Sequence, residues 1–171
     1  MSTSKKIGTE IILNPIEMGV AKFIAKHRDE MNRKNGLKSA NISVQSDLEI
    51  HINGCGAEFA FCKLFNTYPD FDVYSRKTED DQGDAILFGK KVDVKTTKLE
   101  NGNLIAPQWK NNSKEIELYA LMIGELPIYI FKGFMTKKEF IKEGRIRPLR
   151  NDEPTYFAGV NELVEFETLQ F

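Results

Sequence analysis

The spacing of hydrophobic positions changes several times along the chain, and each change marks an element. Asn14-Pro15 is a good helix start, an N-cap followed by a proline suited to the first turn. Ile16, Val20, Phe23, Ile24, His27 and Met31 then recur at helical spacing until Asn35-Gly36. This predicts a helix over 15–35, with Lys22, Lys26, Arg28, Glu30 and Arg33 on a solvated outer face and residues 1–13 as a loose arm. Between 37 and 53 two patterns overlap. Ile42, Val44, Leu48, Ile50 and Ile52 alternate as in a strand, but Ser46-Asp47-Leu48-Glu49 matches a capping box, so a loop leading into a helical turn is expected. Residues 55–66 are apolar nearly all round, the mark of a buried helix, and Tyr68-Pro69-Asp70 ends them. Residues 71–75 read as a strand, and 76–82 as a charged loop.

The chain's central stretch, Gly83 to Thr97, reads as a β-hairpin turning at Gly89-Lys90. With a two-residue loop there, or a four-residue loop from Phe88 to Lys91, Phe88 pairs with Lys91, Ile86 with Asp93 and Asp84 with Lys95. Alternation puts Ala85, Leu87, Val92 and Val94 on the core-like face and Asp84, Asp93 and Lys95 on the other. Further on, Leu104-Ile105-Ala106 is a short extended piece. Residues 117–123 and 127–134 form an antiparallel pair joined around Gly124-Glu125. Thr136-Lys137-Lys138-Glu139 caps a short helix that Gly144 ends. Residues 154–160 and the tail pack back on the domain, with Leu163, Phe166 and Leu169 marking a last short helix.

Composition narrows the classes. A length of 171 residues gives one domain with a real core. A formal net charge of −1 argues against a basic nucleic-acid coat but leaves room for a local basic groove. No apolar run approaches a membrane span, and Lys5-Lys6 is not followed by a signal-peptide core, so no membrane partner and a cytoplasmic location are expected, the host cytoplasm if the source is viral. Cys55 and Cys62 are too few for a disulfide framework or metal cluster; seven residues apart on a helix they lie roughly 10 Å apart, which makes them small buried residues in a reducing compartment.

Two features carry candidate chemistry. Asp84, Asp93 and Lys95 fall within cross-strand and diagonal reach, roughly 5–8 Å. An exposed salt bridge accounts for that equally well, but paired carboxylates also make an oxygen site for a hard cation such as Mg²⁺. Glu58 is the second feature, a lone carboxylate on a stripe with Phe61, Cys62 and Phe65, which is costly without a partner. Lys63 or another nearby base would be a structural partner; a metal or the hairpin lysine would be a functional one. Trp109 with Lys110 suits stacking and phosphate contact, although a packed tryptophan serves as well. Arg145, Arg147 and Arg150 form a basic cluster that is either a phosphate-contacting patch or a solvated loop. His27 reads as a packed core-edge residue, since no second histidine or cysteine lies at ligand spacing, and His51 as surface.

The order of an acid on a helix, a strand, an acid opening a second strand and Asp-x-Lys on a third resembles the PD-(D/E)xK nuclease superfamily, most of all its small single-domain phage-type members. The matching residues are Glu58 in Gly-Ala-Glu-Phe-Ala, Asp84 in Gly83-Asp84, and Asp93-Val94-Lys95. Two features depart from the pattern: Gly83 stands where the family has proline, and no helix is evident between Lys98 and Lys114. The resemblance implies one α/β domain over 1–171 with a restriction-endonuclease-like αβββ(α)β core, a mixed central sheet flanked by helices. It implies a deoxyribonuclease using Mg²⁺ or Mn²⁺ to hydrolyse DNA phosphodiester bonds. Asp84, Asp93 and the Val94 carbonyl would hold metal, Glu58 would complete the shell directly or through water, and Lys95 would orient the attacking water. Trp109, Lys110, Arg145 and Arg147 would contact DNA, and cutting of both strands would favour a homodimer. The alternatives are a catalytically inactive nuclease-fold module that binds DNA or serves assembly, and a purely structural ion-pair core.

Overall fold

The computed structural model describes residues 5–36, 46–73, 83–108, 115–149 and 152–171. In chain order it comprises β1 (Glu10–Ile12), α1 (Pro15–Lys34), α2 (Asp47–Phe65), β2 (Ala85–Leu87), β3 (Lys90–Thr97), β4 (Leu104–Pro107), β5 (Leu118–Glu125), β6 (Ile128–Thr136), α3 (Lys137–Phe140), β7 (Ile146–Pro148) and β8 (Pro154–Ala158). The fold is mixed α/β. A five-stranded sheet has the order β1-β6-β5-β3-β2, and a three-stranded antiparallel sheet the order β4-β8-β7. In the larger sheet only the β3–β5 pair is parallel.

Strand β5 explains the layering. Leu118, Ala120 and Met122 point into a core shared with α1 and α2, while Tyr119, Leu121 and Ile123 point into a second core shared with β4, α3 and β8. Both faces of this central strand are therefore dry. The neighbouring β6 keeps Phe131 and Phe134 together in the helical core because its register slips opposite Leu121/Met122, a bulge that re-aims the side chains.

The helices begin where their caps say. Asn14 and Ser46 both accept from backbone N–H groups of the first turn, and Glu17 and Glu49 reach back to complete capping boxes. The Ser46 box thus opens α2 eight residues before the apolar run expected from 55, and the helix ends on a left-handed Asn66. α1 buries Ala21, Ile24, Ala25 and Asp29, so its inward face is turned away from the expected Ile16–Phe23 stripe, and both of those residues lie exposed. Ala21 and Ala25 are small enough for close approach to α2, and that contact sets the rotation.

Other expectations change. Part of the arm ahead of α1 is β1, pairing Glu10 to Ile12 against β6. Residues 71–73 form no strand; 74 and 75 lie outside the described residues. The β5–β6 turn is Leu126-Pro127, two residues beyond Gly124-Glu125. The short helix ends at Phe140, a separate 3-10 turn covers Glu143–Arg145, and the expected last helix is two 3-10 turns, Val160–Glu162 and Phe166–Thr168. No helix among the described residues is long and apolar enough to cross a membrane.

Candidate functional site

The hairpin turns one residue earlier than its sequence suggests. Leu87 pairs with Lys90, Ile86 with Lys91 and Ala85 with Val92, so the loop is Phe88-Gly89. Both loop residues have positive φ, 47° and 77°, as a tight turn matched to strand twist requires. The pairing of Asp84 with Lys95 is therefore replaced, and continuing the register puts Asp84 opposite Asp93. The assignment of faces survives: Ala85, Leu87, Val92 and Val94 are buried in the helical core.

β2 is three residues long and β3 eight, so among the described residues no strand flanks the end of β3 on that side. Asp84 fills the first step there. Its N–H donates to the Val92 carbonyl at 2.8 Å, and its Oδ2 accepts from the Val94 N–H at 2.7 Å. A carboxylate has taken the place of a neighbouring strand. In an extended strand a residue's N–H and C=O face the same side, so the Val94 carbonyl is aimed at this edge too. Gly83, with φ +77°, leads in; proline cannot take this φ, and a Cβ there would sit 2.8 Å from the Val92 oxygen, so any side chain would force the backbone to shift.

Asp93 and Lys95 alternate with Val92 and Val94 and project from the opposite face, level with Tyr119 and Leu121 of β5. Lys95 Nζ lies 2.7 Å from Asp93 Oδ1. Glu58 arrives from α2, and its charge acts on Asp84. Burial of the Asp84 carboxyl, then the negative charges of Glu58 and Asp93, hold it well above the ordinary aspartate range, against the pull of Lys95 and the Val94 N–H. Glu58 thus comes from the helical face and Asp93 and Lys95 from the other, and the charges of all three act on Asp84 at the edge between them.

The partner of Glu58 is neither Lys63 nor Lys95. Lys63 pairs with Glu17 at 2.8 Å. Glu58 Oε2 accepts instead from Arg28 Nη1 at 2.9 Å. Arg28 lies half-buried between the helices, not on a solvated face as its sequence position suggests. Its remaining donors reach the Asp70 carboxylate and carbonyl, the Asp72 carbonyl and the Cys55 sulfur. The overlooked signal was its place on the Ala21–Ile24–Ala25 stripe, four residues after Ile24. Cys55 and Cys62 are buried free thiols; burial and the Glu58 and Asp84 charges push Cys62 up to about 12, so it stays protonated and inert.

Each of the three carboxylates has one oxygen held by a protein cation or N–H. With the Val94 carbonyl they form an all-oxygen donor set, and a divalent ion would relieve the charge crowding at Asp84. The chemistry of these donors suits such an ion. Among the described residues, however, no three carboxylates stand together at ligand spacing. Asp84 and Asp93 are cross-strand neighbours, and Glu58 is drawn back by Arg28.

Trp109, Lys110, Lys114 and Arg150 lie outside the described residues, as does Asp81. Arg145 and Arg147 sit by the smaller sheet with their charges engaged. Arg145 Nη2 lies 2.9 Å from Glu162 Oε2 and its Nε donates to the Glu139 carbonyl, while Arg147 stacks 4.6 Å over Phe157. His27 stacks on Phe23, and His51 is half-buried with Nδ1 3.0 Å from Asp29 Oδ1.

The molecule is a mixed α/β protein with acids and a lysine near the β2–β3 edge of its main sheet. Over residues 3–171 it matches DUF5843, described as a family of unknown function, and it belongs to that family. No curated protein and no solved structure matches it.

Proposed function

We propose that the chain is a metal-dependent deoxyribonuclease that hydrolyses DNA phosphodiester bonds on a restriction-endonuclease-like version of the mixed α/β fold. The observation that supports this most is that Asp84, held on the strand edge by the Val94 N–H, feels the charges of Glu58, Asp93 and Lys95 together, and is driven toward protonation by burial and by the two like charges. A buried carboxylate with two acidic neighbours is costly unless a cation is part of the design. Asp84, Asp93 and the Val94 carbonyl would hold Mg²⁺ or Mn²⁺, with Glu58 contributing directly or through water. The ion, when bound, supplies an activated water and polarises the phosphoryl oxygen. The Val94 N–H fixes the Asp84 carboxylate in the plane of the strand edge. Lys95, steadied by Asp93, aims its ammonium at the attacking water and offsets negative charge developing on phosphorus. DNA as partner, a cytoplasmic setting and a dimer for double-strand cutting belong to the same proposal.

The test is cleavage of plasmid and linear DNA with Mg²⁺ or Mn²⁺ and with chelator. Cutting should require the metal and vanish in Lys95→Ala and Asp93→Ala, both keeping the wild-type circular dichroism spectrum. Persistence of cutting in both variants would reject the assignment. The engagement of Glu58 by Arg28 favours a second reading, a module that binds DNA without turnover; its mark is binding indifferent to chelator with no product.

A further inference from the structure

The site leaves one strong feature unused, the guanidinium of Arg28. An arginine has five N–H donors in a rigid fork. Here Nε donates to the Asp72 carbonyl at 2.9 Å, Nη1 to Glu58 Oε2 at 2.9 Å and Cys55 Sγ at 3.4 Å, and Nη2 to the Asp70 carbonyl and Oδ2, both at 3.0 Å. Five acceptors take the five donors, so the group is locked in place and charge. It joins α1, α2 and the segment after α2, and it fixes one oxygen of the acid whose charge acts on Asp84. A tie between helices could be made by apolar packing with less desolvation. An arginine fork instead sets where a carboxylate can go. The charge of Glu58 still reaches Asp84 while its Oε2 stays on Arg28.

We infer that Arg28 is a positioning residue of the proposed metal site: it withholds Glu58 from direct ligation, so that Asp84, Asp93 and the Val94 carbonyl hold the ion and Glu58 accepts a hydrogen bond from water beside it. This rests on the metal-dependent reading above. Without Arg28 the site would lose a positive charge and Glu58 would swing onto the ion. The ion would then bind more tightly while the water lost its acceptor. Damage to the fold would weaken both properties together.

The experiment compares the full chain with Arg28→Met, Arg28→Lys, Glu58→Gln and the Arg28→Met/Glu58→Gln double variant. Calorimetry with MnCl₂ alone reads affinity, DNA hydrolysis at saturating Mn²⁺ reads turnover, and thermal melting controls for folding. Arg28→Met should bind Mn²⁺ about tenfold tighter, the scale of one unit charge partly screened at short range, yet turn over at least about tenfold more slowly. The double variant should lose the gain in affinity. Arg28→Lys, which keeps the charge but not the fork, should keep near wild-type affinity with reduced turnover; it carries the test if Arg28→Met fails to fold. Weakened Mn²⁺ binding in step with a lowered melting temperature, or full turnover in Arg28→Lys, would overturn the inference while leaving the metal reading intact. No Mn²⁺ binding by the unaltered chain would remove the metal reading, and this inference with it.

Discussion

Asp84 concentrates the residue-scale consequences. Its carboxyl is surrounded by protein and by two like charges, so its folded pKa lies above its unfolded one, about 4. Below the unfolded value both states are protonated and the group has no effect. As pH rises toward the folded value, the unfolded chain releases a proton that the folded chain keeps, so stability falls across that window and stays lower above it. Glu17, Glu49, Glu117 and Glu162 are shifted the other way, and each loses its contribution as pH falls. They are the same in wild type and in Asp84→Asn, so the difference between the two curves isolates Asp84. In chelator, Asp84→Asn should melt above wild type at pH 7, with the gap closing toward pH 4. Added Mn²⁺ should raise only the wild type. Parallel curves would mean that neither burial nor the like charges raise Asp84. Gly83→Ala should lower both stability and cutting, because a Cβ at φ +77° and 2.8 Å from the Val92 oxygen must displace the backbone that delivers Asp84.

At the scale of elements, α2 carries most of the site's geometry. Its start was legible from Ser46 and Glu49, yet its first turns were not, because His51-Ile52-Asn53-Gly54 contains weak helix formers and alternates like a strand. Tertiary contacts settle the matter. Asn53 donates to the Gly124 carbonyl at 3.2 Å and its Oδ1 accepts from the Tyr129 hydroxyl at 2.9 Å. Ser46→Ala should cost about 1 kcal/mol of stability, read by thermal or urea unfolding. Gly56→Ala should cost more, about 1–3 kcal/mol, because its new methyl would overlap the Tyr129 hydroxyl. The hairpin teaches a similar lesson. Alternation gave the right faces for Asp84, Asp93 and Lys95, but the register depended on which two residues took positive φ. Phe88 does so, a conformation that propensity does not lead one to expect of an aromatic.

At the scale of the whole molecule, the features that escaped the sequence share a cause: they are decided by what lies opposite. α1 turned its face because alanines permit close packing, and Arg28 went inward because Glu58, Asp70 and two carbonyls were there to receive it. Charge works the same way. A net charge of −1 and a site with three carboxylates against Arg28 and Lys95 give the bare protein little attraction for phosphate. A bound divalent ion would reverse the local sign, so on the proposed function DNA affinity should be coupled to metal. Using Lys95→Ala to suppress cutting, anisotropy of a labelled duplex should show weak binding in chelator and at least about tenfold tighter binding with Mn²⁺ at constant ionic strength. Its salt dependence should be shallow, because few fixed cations displace counterions. Adding Asp84→Asn and Asp93→Asn should abolish the gain. Equal affinity with and without Mn²⁺ would place the contact away from this edge and favour a module that holds DNA without cutting it.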